Sequence, residues 1–200
     1  MNLPQTFYQR NDVVLIANEL IGKYLYTNID GVVTGGIIVE TEAYNGSEDR
    51  GSHAFNNKRT PRNQMMYRAG GVVYMYICYG IHDMLNIVTG TQDSSHAVLI
   101  RAIEPLTGIE TMRERRNLFM DDNRLCQGPG ALGKALGLNK VHNGIDLQGD
   151  VIWIEDEGLS FTEDKVKAAP RVGMNFEGPY KTIPWRFYLK ENKFVSKPRS

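Results

Sequence analysis

The chain has little cysteine, little histidine and no excess of charge of either sign, and each shortage removes a class of protein. Only two cysteines, Cys78 and Cys126, occur in 200 residues, far apart and with no C-x-x-C spacing. They read as reduced core thiols rather than as a disulfide framework. His53, His82, His96 and His142 are the only histidines, and their scatter lacks metal-ligand spacing. A zinc site is therefore not expected, and no other metal or cofactor is called for. The 23 basic residues balance 23 acidic ones, so the formal charge is zero. Any nucleic-acid contact must then rest on a local patch. No apolar run is long enough to span a bilayer. The start, Met1-Asn2-Leu3-Pro4-Gln5, lacks the basic and apolar regions of a secretion signal. The expected location is the cytoplasm or nucleoid, or the nucleus in a eukaryote, with no membrane partner.

Motifs are missing as well. No G-x-S-x-G element or Cys/His signature suggests acyl transfer. The run from Gly128 to Ala135, GPGALGKA, nearly matches a nucleotide-phosphate loop. It fails at Ala135, where Ser or Thr must hold Mg²⁺, so nucleoside-triphosphate hydrolysis is rejected. A glycine-opened helix start facing one phosphate stays open.

What is present is ordinary globular composition, 42% hydrophobic and 23% charged, enough for one domain over residues 1–200. Asp12 is placed to cap a helix over 13–20, with Val13, Ile16, Ala17 and Leu20 at helical spacing. Strands are expected over 23–28 and 32–44, joined by an Asp30-Gly31 turn. A polar loop follows over 45–68; a loop of that length is usually functional or disordered. Further strands fall at 71–78, 84–88, 97–103, 151–155 and 185–189. Thr107-Gly108-Ile109-Glu110 reads as a capping box opening a helix toward Arg116, whose Arg113–Arg116 stretch reads as a solvent face. A shorter helix is expected over 130–136. The fold class is α+β, one domain with a largely antiparallel sheet and helices packed around it.

Chemistry concentrates in Ile38-Val39-Glu40-Thr41-Glu42-Ala43-Tyr44. Residues two apart on a strand share a face, so Glu40, Glu42 and Tyr44 point the same way. The two carboxylates lie about 7 Å apart on an extended strand. That suits an acid and a base for glycosidic hydrolysis, unless one is simply an ion-paired strand residue. In Tyr74-Met75-Tyr76-Ile77-Cys78-Tyr79-Gly80, Tyr74 and Tyr76 share one face while Val73, Met75 and Ile77 take the core face. The tyrosine face would meet Glu42 and Tyr44 if the two strands pair. Flat rings flanking a carboxylate can grip an extruded base; aromatic packing is the plainer reading. Tyr79, before Gly80 at a hairpin tip, either folds back as a core plug or projects as a wedge. Lys58-Arg59-Thr60-Pro61-Arg62-Asn63 is a basic turn able to touch phosphates or merely solvated.

Taken together, IVETEAY, TPRN, YMYICYG with Asn86, VLIRAIEPLTGIETMR, LCQGPG, ALGLNK, APRVG and WRFYL make the chain resemble the alkyladenine DNA glycosylase family, the 3-methyladenine DNA glycosylases of the alkylpurine class. The resemblance covers nearly the whole chain. It implies a curved antiparallel sheet with an intercalating aromatic at a hairpin tip. It also implies flipping of alkylated or deaminated purines (3-methyladenine, 7-methylguanine, hypoxanthine, ethenoadenine) from double-stranded DNA and monofunctional hydrolysis of the N-glycosidic bond, by a monomer. Carried over by position, Glu42 is the general base, Arg101 positions that carboxylate and the water, and the Val172 backbone carbonyl also holds the water. Tyr44, His53 and Tyr76 hold the flipped base, Asn86 disfavours the 2-amino group of guanine, and Tyr79 is the wedge. Arg59, Arg62 and Lys140 fall near the phosphate backbone. Gly130 and Ala131 depart from the family, which carries a small polar and a basic residue there. Two rivals are an O-glycoside hydrolase using Glu40 as acid and Glu42 as base, and a non-catalytic damage-binding module.

Overall fold

The computed structural model describes residues 1–119 and 122–197. Near its start, a short helix α1 (Gln5–Tyr8) precedes α2 (Val13–Glu19), which forms as the apolar spacing predicts. Val13, Ile16, Ala17 and Leu20 are all buried, and the Asp12 carboxylate accepts the Leu15 N–H at 2.9 Å. β1 (Tyr24–Ile29) and β2 (Val32–Tyr44) form a hairpin. Asp30 and Gly31 both take positive φ, 56° and 78°, the turn geometry that matches the twist of paired strands.

β2 is the spine of an 8-stranded sheet in which every pairing is antiparallel. β3 (Val73–Cys78), β4 (His82–Thr89) and β5 (His96–Thr107) lie in order on one side of β2. On the other side, β1 and then β6 (Ile152–Glu155) flank its first half. β8 (Arg186–Leu189) flanks residues 40–42 and carries β7 (Val166–Ala169) beyond it. β3 and β2 do not pair, because β4 and β5 stand between them.

The β2–β5 register shifts three times, once between Gly35 and Gly36 and twice around Glu40, placing Ile38 opposite Ile103, Glu40 opposite Ala102 and Thr41 opposite Ile100. Neither Val39 nor Arg101 has a partner in that ladder. Such bulges bend a strand and re-aim a side chain. They curl the sheet, and they turn Arg101 toward both glutamates.

The main core lies between the sheet and the helices and takes in Val73, Met75, Leu85, Ile100 and Ile103. A second cluster, including Met66, Tyr67, Tyr74, Val88 and Ala97, sits under the 45–68 loop. That loop is ordered into three single 3-10 turns, Gly46–Glu48, Phe55–Asn57 and Gln64–Tyr67. Buried Asn63 ties it together, donating to the His53 carbonyl at 2.8 Å and the Lys58 carbonyl at 2.7 Å. The expected alternation in β3 holds until Ile77, which is 38% exposed because the core ends before the hairpin tip.

Two local readings change. β5 continues through Thr107, so helix α3 (Ile109–Arg116) starts from Gly108 in a left-handed turn, and no capping box forms. Arg115 and Arg116 are not merely a solvent face: they donate to the Ala135 carbonyl (3.2 Å) and the Leu125 carbonyl (3.1 Å). The shorter helix expected over 130–136 forms as α4 (Pro129–Ala135), and its glycines serve close packing. A Cβ at Gly133 would come within 2.4 Å of the Asp83 carbonyl oxygen, and one at Gly130 within 2.6 Å of the His82 ring. The late helix α5 (Pro179–Thr182) and strand β7 have too few periodic residues to have been foreseen.

Candidate active site

The curled sheet presents one row of side chains across four strands. Tyr74 pairs with Asn86, Asn86 with Leu99, and Leu99 with Glu42. This row lines a hollow of about 470 Å³, within the usual range for a small-molecule site. The tyrosine face and the Glu42 face meet across the curl rather than by direct pairing. The 51–66 segment forms one wall with His53 and Met66, and Val172, Gly173 and Met174 form another.

Glu42 has no exposed surface and lies at the hollow. Its Oε1 accepts the Val172 N–H at 2.7 Å and lies 3.3 Å from an Arg101 guanidinium nitrogen. Its Oε2 accepts the Tyr44 hydroxyl at 2.9 Å. Burial first, and then Glu42, hold the Tyr44 phenol far above its ordinary pKa, so it stays protonated and donates. Burial alone would lower the Arg101 pKa, but the Glu42 and Glu40 carboxylates outweigh it and the guanidinium stays charged.

Glu40 is different. It is also fully buried, but it faces a closed cluster. Arg101 Nε donates to it at 2.8 Å and Arg186 Nε at 2.7 Å. The Ser196 hydroxyl adds a bond at 2.9 Å, and the Ser196 N–H one at 2.7 Å. Glu40 does not line the hollow. A carboxylate fixed by two guanidinium groups away from any cavity cannot deliver a proton to a leaving group. Glu40 is therefore not placed to act as the acid of a glycosidase pair with Glu42.

His53 Nδ1 lies 2.8 Å from the Tyr74 hydroxyl, and its ring meets Tyr76 edge-on at 4.6 Å. Burial, aided by Arg62, lowers its pKa to about 4, so the imidazole is neutral near pH 7. Burial, then Cys78 and Glu42, push the Tyr76 phenol up to about 12. The Asn86 amide nitrogen donates to the Tyr74 carbonyl (3.1 Å) and the Met84 carbonyl (3.3 Å), which leaves its own oxygen as the group available to a ligand.

Tyr79 stands at the hairpin tip beside the hollow, 88% exposed and with φ 51°. It has not folded back as a core plug. A bulky residue in a left-handed conformation is strained, and the packing there returns nothing for it. Arg62 lines the hollow, 5.3 Å from the Tyr76 ring centroid. Arg59 lies outside it, paired with Asp93 at 2.7 Å and stacked on Tyr67 at 3.9 Å. Lys140 is exposed on the short Lys140–His142 turn and also lies outside the hollow.

Sequence reasoning missed Asp49, Arg171 and the tie of Tyr74 to His53. Single charges in a polar loop and in APRVG carry no periodic signal. Among the described residues no group of three His, Cys, Asp or Glu side chains could hold a metal ion. No helix among them is long and apolar enough to cross a membrane. A hollow of about 510 Å³ beside β7 and β8 is slightly larger, but its ionisable lining is Lys167, Tyr188, Lys190 and Glu191 on an open face. Its lining holds no buried carboxylate or imidazole.

Residues 6–193 match the family model described as Methylpurine-DNA glycosylase (MPG). A protein of Chlamydia felis (strain Fe/C-56), named "Putative 3-methyladenine DNA glycosylase", is 43% identical over 96% of this chain and 97% of its own. One with the same name from Clostridium perfringens (strain 13 / Type A) is 42% identical over 98% of this chain and its full length. Another from Bacillus cereus (strain G9842) is 37% identical, again over 98% of this chain and all of its own. A pocket carboxylate among aromatic rings, together with these matches, puts the protein in the class of hydrolases that act on N-glycosyl bonds. Within that class the chain belongs to the Methylpurine-DNA glycosylase family, whose substrate is DNA.

Proposed function

We propose that this chain takes alkylated or deaminated purines out of double-stranded DNA and hydrolyses their N-glycosidic bond, leaving an abasic site. The candidate lesions are 3-methyladenine, 7-methylguanine, hypoxanthine and ethenoadenine. The observation that carries the proposal is the Glu42 carboxylate, fixed on both oxygens at the base of a ring-lined hollow. Oε1 is spent on Val172 and Arg101, whereas Oε2 accepts only the Tyr44 hydroxyl among the bonds described. A carboxylate oxygen has room for a second donor, so Oε2 is the atom to take a proton from water.

A purine alkylated at N3 or N7 is cationic and leaves readily. As it departs, the sugar gains oxocarbenium character, which the Glu42 charge stabilises while the water attacks. Arg101 orients that carboxylate. The Val172 N–H shares this task, and its carbonyl is assigned to the water. Tyr44, Tyr76 and His53 grip the base, Asn86 crowds the 2-amino group of guanine, and Tyr79 fills the space the base leaves. Arg62, Arg59 and Lys140 meet phosphates, Arg62 nearest the site. Among the described residues no lysine lines the hollow, which favours a monofunctional enzyme without Schiff-base strand cleavage. The enzyme acts as a monomer.

The deciding experiment is incubation with duplexes carrying each lesion, scored for abasic sites. Release of at least one modified purine without strand cleavage is the expected result. Tight lesion binding with no release would leave a binding module instead.

A further inference from the structure

The pocket is assembled from chain segments that are distant in sequence, and one ion pair joins them. Arg171 and Asp49 are both fully buried side chains. Asp49 Oδ2 accepts from Arg171 Nη1 at 2.5 Å and from the Asn45 N–H at 3.1 Å. Asp49 Oδ1 accepts from Arg171 Nη2 at 2.7 Å and from the Gly51 N–H at 2.8 Å. The same guanidinium donates to the Ala43 carbonyl at 3.0 Å and the Tyr180 carbonyl at 3.2 Å. It lies 4.6 Å from the Tyr44 ring centroid and 5.4 Å from that of Trp185. Both Nη atoms are thus used twice, by acceptors from three stretches of chain.

The segments around Ala43, Gly51 and Arg171 each carry a wall of the hollow. Ala43 leads into Tyr44, Gly51 into Ser52 and His53, and Arg171 into Val172, whose N–H holds Glu42. Gly51 must be a glycine for this closure, since a Cβ there would come within 2.9 Å of Arg171 Nη2. Neither Arg171 nor Asp49 lines the hollow. We infer that Arg171, clamped by Asp49, is a positioning residue that sets the Glu42 carboxylate and the Tyr44 ring in register, acting through the Val172 N–H. The inference rests on the glycosylase reading above. It requires the planar fork and not merely the charge, because an ammonium offers three donors and no plane.

The test is single-turnover excision, with enzyme in excess, by the parent, R171K and D49N on a duplex carrying a lesion the parent removes. Rate constant, amplitude and lesion-DNA dissociation constant are read separately, with a thermal melt for each protein. Displaced catalytic groups are expected to slow the rate constant about tenfold to a hundredfold in both variants. The dissociation constant should stay within about threefold, the split that marks loss of transition-state positioning. The double variant should be no slower than the worse single one, because the two side chains act as a unit. An R171K rate constant equal to the parent's overturns the inference, as does a loss confined to amplitude or melting temperature. Failure of both variants to fold would make the pair a folding requirement and overturn it too. A parent that excises no lesion would instead sink the glycosylase reading.

Discussion

Glu40 and Glu42 stand two residues apart on one strand, both without exposed surface, and share one arginine. Their surroundings separate them. Glu40 is enclosed by Arg101, Arg186 and Ser196, a cluster that joins β2 to β5, β8 and the chain beyond β8. Glu42 meets one guanidinium, one backbone N–H and one phenol, with the hollow beside it. Burial alone therefore does not mark the reactive group. The mark is a buried charge whose donors leave part of it unused where a ligand can reach.

The sharpest way to break the contrast is to neutralise each carboxylate in turn. Glu42→Gln should lower the excision rate constant by about a hundredfold to ten-thousandfold, the usual worth of a general base, while shifting the thermal midpoint little. Single-turnover assays beside a melt decide it. A lost midpoint with an intact rate would exchange the two roles.

Glu40→Gln should do the reverse. It leaves Arg101 and Arg186 buried around a neutral amide, and removing one partner of a buried ion pair costs about 3–5 kcal/mol. Urea unfolding should show that loss. The fraction still folded should excise faster than Glu42→Gln, because Arg101 keeps its contact with Glu42.

A third group tests whether burial without an opposite charge behaves differently again. Burial, then Arg62, bring the folded-state pKa of His53 down to about 4 from 6.5. The unfolded chain therefore binds the extra proton first. Stability from this site is full above pH 6.5 and is lost as pH falls toward 4, by at most about 3 kcal/mol. His96 is shifted the same way and adds to the trend. Urea midpoints at pH 7.5 and pH 4.5 should diverge for the parent and diverge less for His53→Gln. Equal divergence would mean that His53 keeps its ordinary titration.

How much of this was legible in the sequence follows from period and length. The helix over 13–20 and the β1–β2 hairpin carried strong local signals, apolar spacing in one and Asp-Gly in the other. The alternation of Tyr74, Tyr76, Val73 and Met75 likewise gave the two faces of β3 correctly. The shared face of Glu40 and Glu42 was readable, but not which one meets a cavity. That depends on two bulges, at Val39 and Arg101, and on Arg186 and Ser196 arriving from far along the chain. The expected cap at Thr107 failed because β5 runs two turns of pleat further than its apolar stretch. Long-range partners such as Asp49 and Arg171 leave no periodic trace.

The smallest expected effect lies at the opposite extreme of exposure. Tyr79 packs against little and holds a left-handed φ, so Tyr79→Ser should leave the melting temperature unchanged or slightly higher. If the ring replaces an extruded base in the stack, its loss should weaken lesion-DNA binding by about 1–2 kcal/mol, the scale of one aromatic–base contact. Binding to undamaged duplex should change less, since nothing there needs replacing. Equilibrium titration of both duplexes with both proteins separates the outcomes. Equal weakening on the two would make Tyr79 a general DNA contact, and no weakening would leave its exposure and backbone strain without a purpose in binding. Either result would also narrow the contrast drawn between the carboxylates, because the work of capturing the base would then fall on the walls around Glu42 alone.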